Sequence, residues 1–99
     1  MKGNFDKLIL SPTPVLIDFH ATWCGPCQAQ APILEEVSKI IGQNARVIKI
    51  DVDKNQNIAS RLHVRGVPTL ILFKNGKAVW RKSGISSKSE LVSIIEQNL

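Results

Sequence analysis

Val15-Leu16-Ile17-Asp18-Phe19 is apolar at every position but one, on both of the faces that a strand presents in alternation. Such a strand is covered on both sides, as in the middle of an α/β sheet, and does not carry a solvated face. Ser11-Pro12-Thr13-Pro14 is the turn that delivers the chain into it. Asp18 is the exception within the run. A carboxylate in a buried strand is costly unless it is neutral, paired or useful.

The segments that follow supply the cover. From Pro26 to Ile41 the apolar positions Ile33, Leu34, Val37, Ile40 and Ile41 recur at helical spacing. Gly42 is a C-terminal stop, and Pro32 is expected to bend the helix because it has no N–H to donate. Arg46 to Val52 reads as a second strand. Asn55 to Leu62 reads as a short helix with Ile58 and Leu62 on one face. Thr69 to Phe73 is a third strand, joined through Asn75-Gly76, a strong two-residue hairpin signal, to a fourth over Lys77 to Arg81. Ser87-x-x-Glu90 forms a capping box ahead of Leu91, Ile94 and Ile95. The order β-α-β-α-β-β-α, after a short N-terminal segment, implies an α/β fold with a mixed sheet and helices on both faces.

The 99 residues suit a single domain spanning residues 1–99. The apolar stretches are only a few residues long, far short of the roughly 20 that a bilayer requires. The N-terminal MKGNFDKLIL has its apolar character interrupted by Asn4, Asp6 and Lys7, so no signal peptide is read there and the expected location is cytoplasmic. The net charge of +5 raises the question of nucleic acid. Lys and Arg are spread along the chain, with a mild cluster at Lys74, Lys77, Arg81 and Lys82 and no stacking motif beside it. A solvated basic surface accounts for the charge, and no nucleic-acid or membrane partner is expected.

Both cysteines fall in His20-Ala21-Thr22-Trp23-Cys24-Gly25-Pro26-Cys27. Three readings compete: a metal site, an accident of packing, and a redox pair. A structural zinc needs four ligands, but His20 and His63 are the chain's only histidines and match no finger or ribbon spacing, so no metal is expected. Chance places two cysteines at this separation in roughly one arrangement in fifty, and an accident also predicts inert thiols within an apolar run. The redox reading accounts for more. Residues three apart across a first helical turn lie about 5 Å apart at Cα, within reach of a disulfide. Pro26 suits the first helical turn, where its missing N–H costs nothing, and Gly25 lets another backbone approach. Cys24 then precedes the helix, with free N–H groups and the positive dipole end directed at its sulfur. An ordinary thiol is only a few per cent ionised near neutrality. Lowering its pKa to ambient pH makes about half of it thiolate. On this reading Cys24 is the nucleophile and Cys27, about a turn deeper, is the resolving thiol.

Trp23-Cys24-Gly25-Pro26-Cys27 after Asp18-Phe19, with Pro32, Val64-Arg65-Gly66-Val67-Pro68-Thr69 and Phe73-Lys74-Asn75-Gly76 downstream, resembles the thioredoxin family over nearly the whole chain from Phe5 onward. The resemblance implies a thioredoxin fold with a central mixed four-stranded sheet. It implies that Asp18 handles the proton of Cys27 with Lys49 nearby; a purely structural Asp18–Lys49 pair on neighbouring strands is the alternative. Pro68 matches the family's cis-proline. Trp23, Gly66, Val67, Pro68, Gly84 and Ile85 match its apolar docking surface for substrate, although half-buried packing is the other reading of Trp23. Gly25 and Pro26 would tune the redox pair. The implied activity is reduction of disulfides in other proteins by a monomer that binds no cofactor. Its Cys24–Cys27 disulfide would be re-reduced from NADPH through a thioredoxin-reductase-like flavoenzyme.

The chain also departs from the family pattern. His20 stands where Trp or Tyr is usual, and reads either as a polar strand end or as a group titrating near the site. Gln28 stands where Lys or Arg is common. Little sequence precedes Phe5, so the family's N-terminal edge strand is expected to be missing or vestigial, with residues 4 to 10 a helix or irregular cover. Two rival functions remain: an oxidant or isomerase on the same fold, against which Gly25-Pro26 argues by analogy, and a binding module whose thiols are incidental.

Overall fold

The computed structural model describes residues 4–99; Lys2, part of the N-terminal reading above, lies outside the described residues. The elements are α1 (Phe5–Ile9), β1 (Val15–His20), α2 (Gly25–Ile41), a 3₁₀ turn (Gly42–Asn44), β2 (Arg46–Asp51), α3 (Gln56–Arg61), β3 (Thr69–Lys74), β4 (Lys77–Ser83) and α4 (Lys88–Glu96). The sheet order is β2-β1-β3-β4. β1 pairs parallel with β2 and antiparallel with β3, and β3 pairs antiparallel with β4. This is the expected four-stranded mixed sheet, and residues Phe5–Ile9 form a helix rather than an edge strand.

Strand parity sorts the core into two layers. Leu16 of β1 with Leu70 and Leu72 of β3 packs against Leu34, Val37 and Ile41 of α2 and Leu91 and Ile95 of α4. Val15, Ile17 and Phe19 with Ile50, Ile71 and Phe73 form the other layer, covered by Phe5 and Ile9 and flanked by Ile58 and Leu62. Phe5 meets Phe73 edge to face, with ring centroids 5.7 Å apart. Leu72 is fully buried, so Leu72→Ala is expected to cost about 2–5 kcal/mol, read as a lowered urea midpoint at unchanged slope.

Asn75 and Gly76 have φ of 53° and 81°, the two left-handed residues of a type I′ hairpin turn. The N-terminal segment holds that turn in place: Asn75 N–H donates to the Ser11 carbonyl at 2.8 Å and Gly76 N–H to the Ile9 carbonyl at 2.9 Å. A Cβ at position 76 would lie 3.3 Å from Leu10 Cδ1.

Two details differ from the sequence reading, the exposure of Ile40 and the capping of α4. The buried stripe of α2 is Cys27, Gln30, Leu34, Val37 and Ile41, whereas Ile40 is 56% exposed. Ile40 stands next to the stripe, a full residue of helical rotation away, and points to solvent. As the period implies, α2 runs through Pro32 to Ile41, the ring costing the Gln28 carbonyl its intrahelical donor. The capping box at α4 is half formed. Ser87 Oγ accepts from Glu90 N–H at 3.1 Å, but the Glu90 carboxylate takes Lys82 Nζ of β4 at 2.8 Å instead of turning back to Ser87.

Among the described residues, no helix is long and apolar enough to cross a membrane.

Candidate active site

β1 ends at His20, and the chain turns through Ala21 to Trp23 before α2 begins. The Cys24 N–H reaches back to the Ala21 carbonyl at 3.3 Å. Cys24 is the N-cap of α2, in extended conformation with φ −93° and ψ 113°, and its sulfur accepts the Cys27 N–H at 3.1 Å. A sulfur in that position takes the place of the Ser or Asp oxygen that commonly caps a helix, and it lies at the positive end of the backbone dipoles. Pro26 sits in the first turn. The Cα atoms of Cys24 and Cys27 are 5.3 Å apart and their sulfurs are joined in a disulfide. The two residues are 4% and 5% exposed, so exposure does not rank one above the other. Their neighbours do. The Cys24 sulfur, which has no proton in the disulfide, touches the Val67 carbonyl at 3.6 Å. Cys27 instead borders a cavity over the sheet.

That cavity, of about 130 Å³, is lined by Asp18, His20, Ala21, Thr22, Cys27, Gln28 and Lys49. Its shape follows from strand register. Asp18 and His20 follow Leu16 on the α2 face of β1, and Asp18 stands opposite Lys49 of parallel β2. No ion pair joins the two; the structural Asp18–Lys49 pair is not formed. Asp18 is 1% exposed and its Oδ1 has no hydrogen-bond partner among the described residues. Burial raises the Asp18 pKa above its ordinary range, and the charges of His20 and Lys49 pull the other way.

On the Cys24 side of the disulfide, away from that cavity, the site is walled by the loop before β3. The Val67–Pro68 peptide is cis, and Gly66 accepts the Thr69 hydroxyl at 2.6 Å. Gly84, with φ of 91°, donates its N–H to the Pro68 carbonyl at 2.8 Å, which places the Gly84-Ile85 loop beside this wall. Ile85 is 44% exposed and Trp23 is 70% exposed. The indole Nε1–H of Trp23 donates to Asp53 at 2.9 Å. Half-buried packing is therefore not the role of Trp23; the ring stands on the surface, held by its edge.

Sequence reasoning missed two supports of this site. Gln30 and Ser86 are both fully buried. The Ser86 N–H donates to Gln30 Oε1 at 2.8 Å and Gln30 Nε2 donates to the Ser86 carbonyl at 3.1 Å, tying the Gly84-Ile85 loop to α2 one turn beyond Cys27. The signal was present, because Gln30 is the one long polar residue on the stripe from Cys27 to Ile41. Gln30→Ala is expected to cost about 1–3 kcal/mol by leaving the Ser86 amide groups buried without partners, visible as a lowered melting temperature. Asp53 is the second support, with no local pattern linking it to Trp23.

Among the described residues, no three His, Cys, Asp or Glu side chains converge as ligands for a metal ion.

Two sulfurs joined at a helix start, beneath an exposed apolar rim, form a redox-active disulfide: the chain is a thiol–disulfide oxidoreductase. A profile of the thioredoxin family matches residues 1–97. A thioredoxin-like protein of Synechocystis sp. is 46% identical over 95 residues, covering 95% of this chain and 90% of that protein. The thioredoxin of Rickettsia felis is 41% identical, covering 98% of this chain and 93% of that one. The chloroplastic thioredoxin Y of rice is 47% identical over 98% of this chain, which spans only 58% of that longer protein. A point mutant of thioredoxin from Halobacterium salinarum superposes with a TM-score of 0.88 at 41% identity, over 99% of this chain and 85% of that structure. The chain belongs to the thioredoxin family.

Proposed function

We propose that residues 1–99 act as one unit in which Cys24 is the attacking and Cys27 the resolving sulfur of protein disulfide reduction. The observation that carries this assignment is the N-cap position of Cys24, whose sulfur already accepts the Cys27 N–H and faces the helix dipole. In the reduced protein those same groups stabilise a thiolate. The Cys24 thiolate attacks one sulfur of a substrate disulfide, forming a mixed disulfide and releasing the other substrate sulfur as a thiolate that takes a proton. Asp18 then takes the proton of Cys27. The Cys27 thiolate attacks the Cys24 sulfur, the Cys24–substrate bond breaks and the Cys24–Cys27 disulfide forms. Burial makes the Asp18 carboxylate a stronger base, while His20 and Lys49, on the cavity wall with it, help keep it in the ionised form that can accept a proton. Gly25 and Pro26 shape the turn that sets the potential.

Trp23, Gly66, Val67, Pro68, Gly84 and Ile85 form the surface on which a disulfide-containing protein docks. Trp23→Ala is expected to raise KM for a protein substrate about tenfold, the equivalent of roughly 1.4 kcal/mol, with kcat little changed. The oxidised protein is re-reduced from NADPH through a thioredoxin-reductase-like flavoenzyme. It works as a monomer in the cytoplasm, with no part played by nucleic acid or membrane.

The test is dithiothreitol-driven reduction of insulin, followed as turbidity, together with the equilibrium potential of the Cys24–Cys27 couple against glutathione. The reading predicts strong acceleration and a potential at the reducing end of the range known for such couples. No acceleration, or a strongly oxidising potential, would overturn it.

A further inference from the structure

We propose that His20 carries the Cys27 proton between Asp18 and solvent, making it a third member of the proton path of the resolving step. The proposal rests on the reading that Cys27 resolves the mixed disulfide.

A proton held on Asp18 beside Cys27 returns readily to the thiolate, so the Cys27 thiolate lasts long enough to attack the Cys24 sulfur only when that proton moves on. Asp18 has no direct exit, being 1% exposed with one carboxylate oxygen unpartnered. The way out is the cavity it shares with Cys27, and the other groups on the cavity wall are few. Ala21 offers no polar side chain. The Gln28 amide and Thr22 hydroxyl do not titrate near neutrality. The Lys49 ammonium has donors only and no lone pair to take a proton. Cys27 is the proton's source. His20 is the one remaining wall group, and its imidazole has a nitrogen that can take up a proton and a second from which one can leave.

Its position suits the task. His20 lies two residues beyond Asp18 on the same face of β1. The burial pattern runs from buried at Asp18 to intermediate at His20, so the pair leads from the core to the rim. The charged groups that face it are accounted for on each packed element. From β2, Lys49 stands opposite Asp18 and Asp51 opposite His20. The Asp51 carboxylate is occupied by the N–H groups of Asp53 and Lys54 at 2.8 and 3.3 Å. From α2 the cavity receives Cys27 and uncharged Gln28, while Glu35 borders a separate cleft on the other side of Lys49. A proton handed from Asp18 to His20 leaves a carboxylate beside an imidazolium, an arrangement that favours both charged forms.

Release of thionitrobenzoate from Ellman's reagent by the reduced protein, followed in a stopped-flow instrument, tests the idea. The first equivalent reports attack by Cys24 and the second reports resolution by Cys27. His20→Gln is expected to leave the first phase within a factor of two. It should slow the second by about tenfold at neutral pH, and added imidazole should restore it. A second phase at the native rate shows that water in the cavity suffices and overturns the proposal. A slow second phase that imidazole does not rescue also overturns it, because it marks a structural effect. Should His20→Gln not fold, His20→Asn is judged by the same two phases. Loss of the two-phase pattern in the native protein would instead remove the assignment of Cys24 and Cys27 on which the proposal rests.

Discussion

Cys24→Ser is expected to abolish all acceleration of insulin reduction, leaving only the background rate with dithiothreitol. A serine hydroxyl at the same N-cap would hold the helix as well as the sulfur does, since Ser is among the preferred caps. It is not ionised near neutrality and attacks no disulfide. The fold should therefore survive with its melting temperature little changed while the activity vanishes, separating chemistry from structure. Cys27→Ser is expected to fail differently. Cys24 can still attack, but nothing intramolecular releases the product, so a covalent complex with the substrate accumulates and non-reducing electrophoresis resolves it. Full activity in the double variant would mean that sulfur is incidental and that the fold serves as a binding module.

Asp18→Asn should stabilise the protein while slowing it. Asp18 is buried, with no ion pair to Lys49 and one oxygen without a partner. In the folded state its carboxyl binds a proton more tightly than in the unfolded chain, where the ordinary value is 3.8. Stability is accordingly fully present below that value and falls as pH rises toward the raised folded-state value. The amide does not ionise. The variant's gain should be absent near pH 4, grow with pH and level off once Asp18 is ionised in both states. At its plateau the expected gain is about 1–3 kcal/mol, measured by urea unfolding at a series of pH values. The same substitution removes the acceptor for the Cys27 proton, and loss of general-base assistance costs about a hundredfold in the second thionitrobenzoate phase. An Asp18→Asn protein less stable than the native one at pH 8 would contradict the account of this residue.

The parts of the site that follow from neighbours in sequence were legible before the structure. The run through Phe19 defined a central strand, and Cys24 to Cys27 defined a helix start able to close a disulfide. Asn75-Gly76 defined the hairpin whose two left-handed residues the structure contains. What escaped was set by distant partners. Gln30 looks like a flaw in an apolar stripe until Ser86, 56 residues away, supplies both of its hydrogen bonds. Trp23 looks ready to pack until Asp53 is seen holding its indole edge. Glu90 matches a capping box in sequence, yet Lys82 of β4 competes for its carboxylate and wins. Ile40 belongs to the helical period by count, but the sheet and α4 lie on the side that Val37 and Ile41 face. Periodicity says that a face exists; only the assembled layers decide which residues stand just outside it.

The central claim is that the start of α2 holds the sulfur of Cys24 as a ready anion. Its most direct measurement is the rate of alkylation of Cys24 by iodoacetamide in the reduced protein as a function of pH, with mass spectrometry to locate the label. The account predicts a half-maximal rate at clearly lower pH than free cysteine shows under the same conditions, with Cys27 unlabelled over that range. A Cys24 profile that superimposes on that of free cysteine would contradict it.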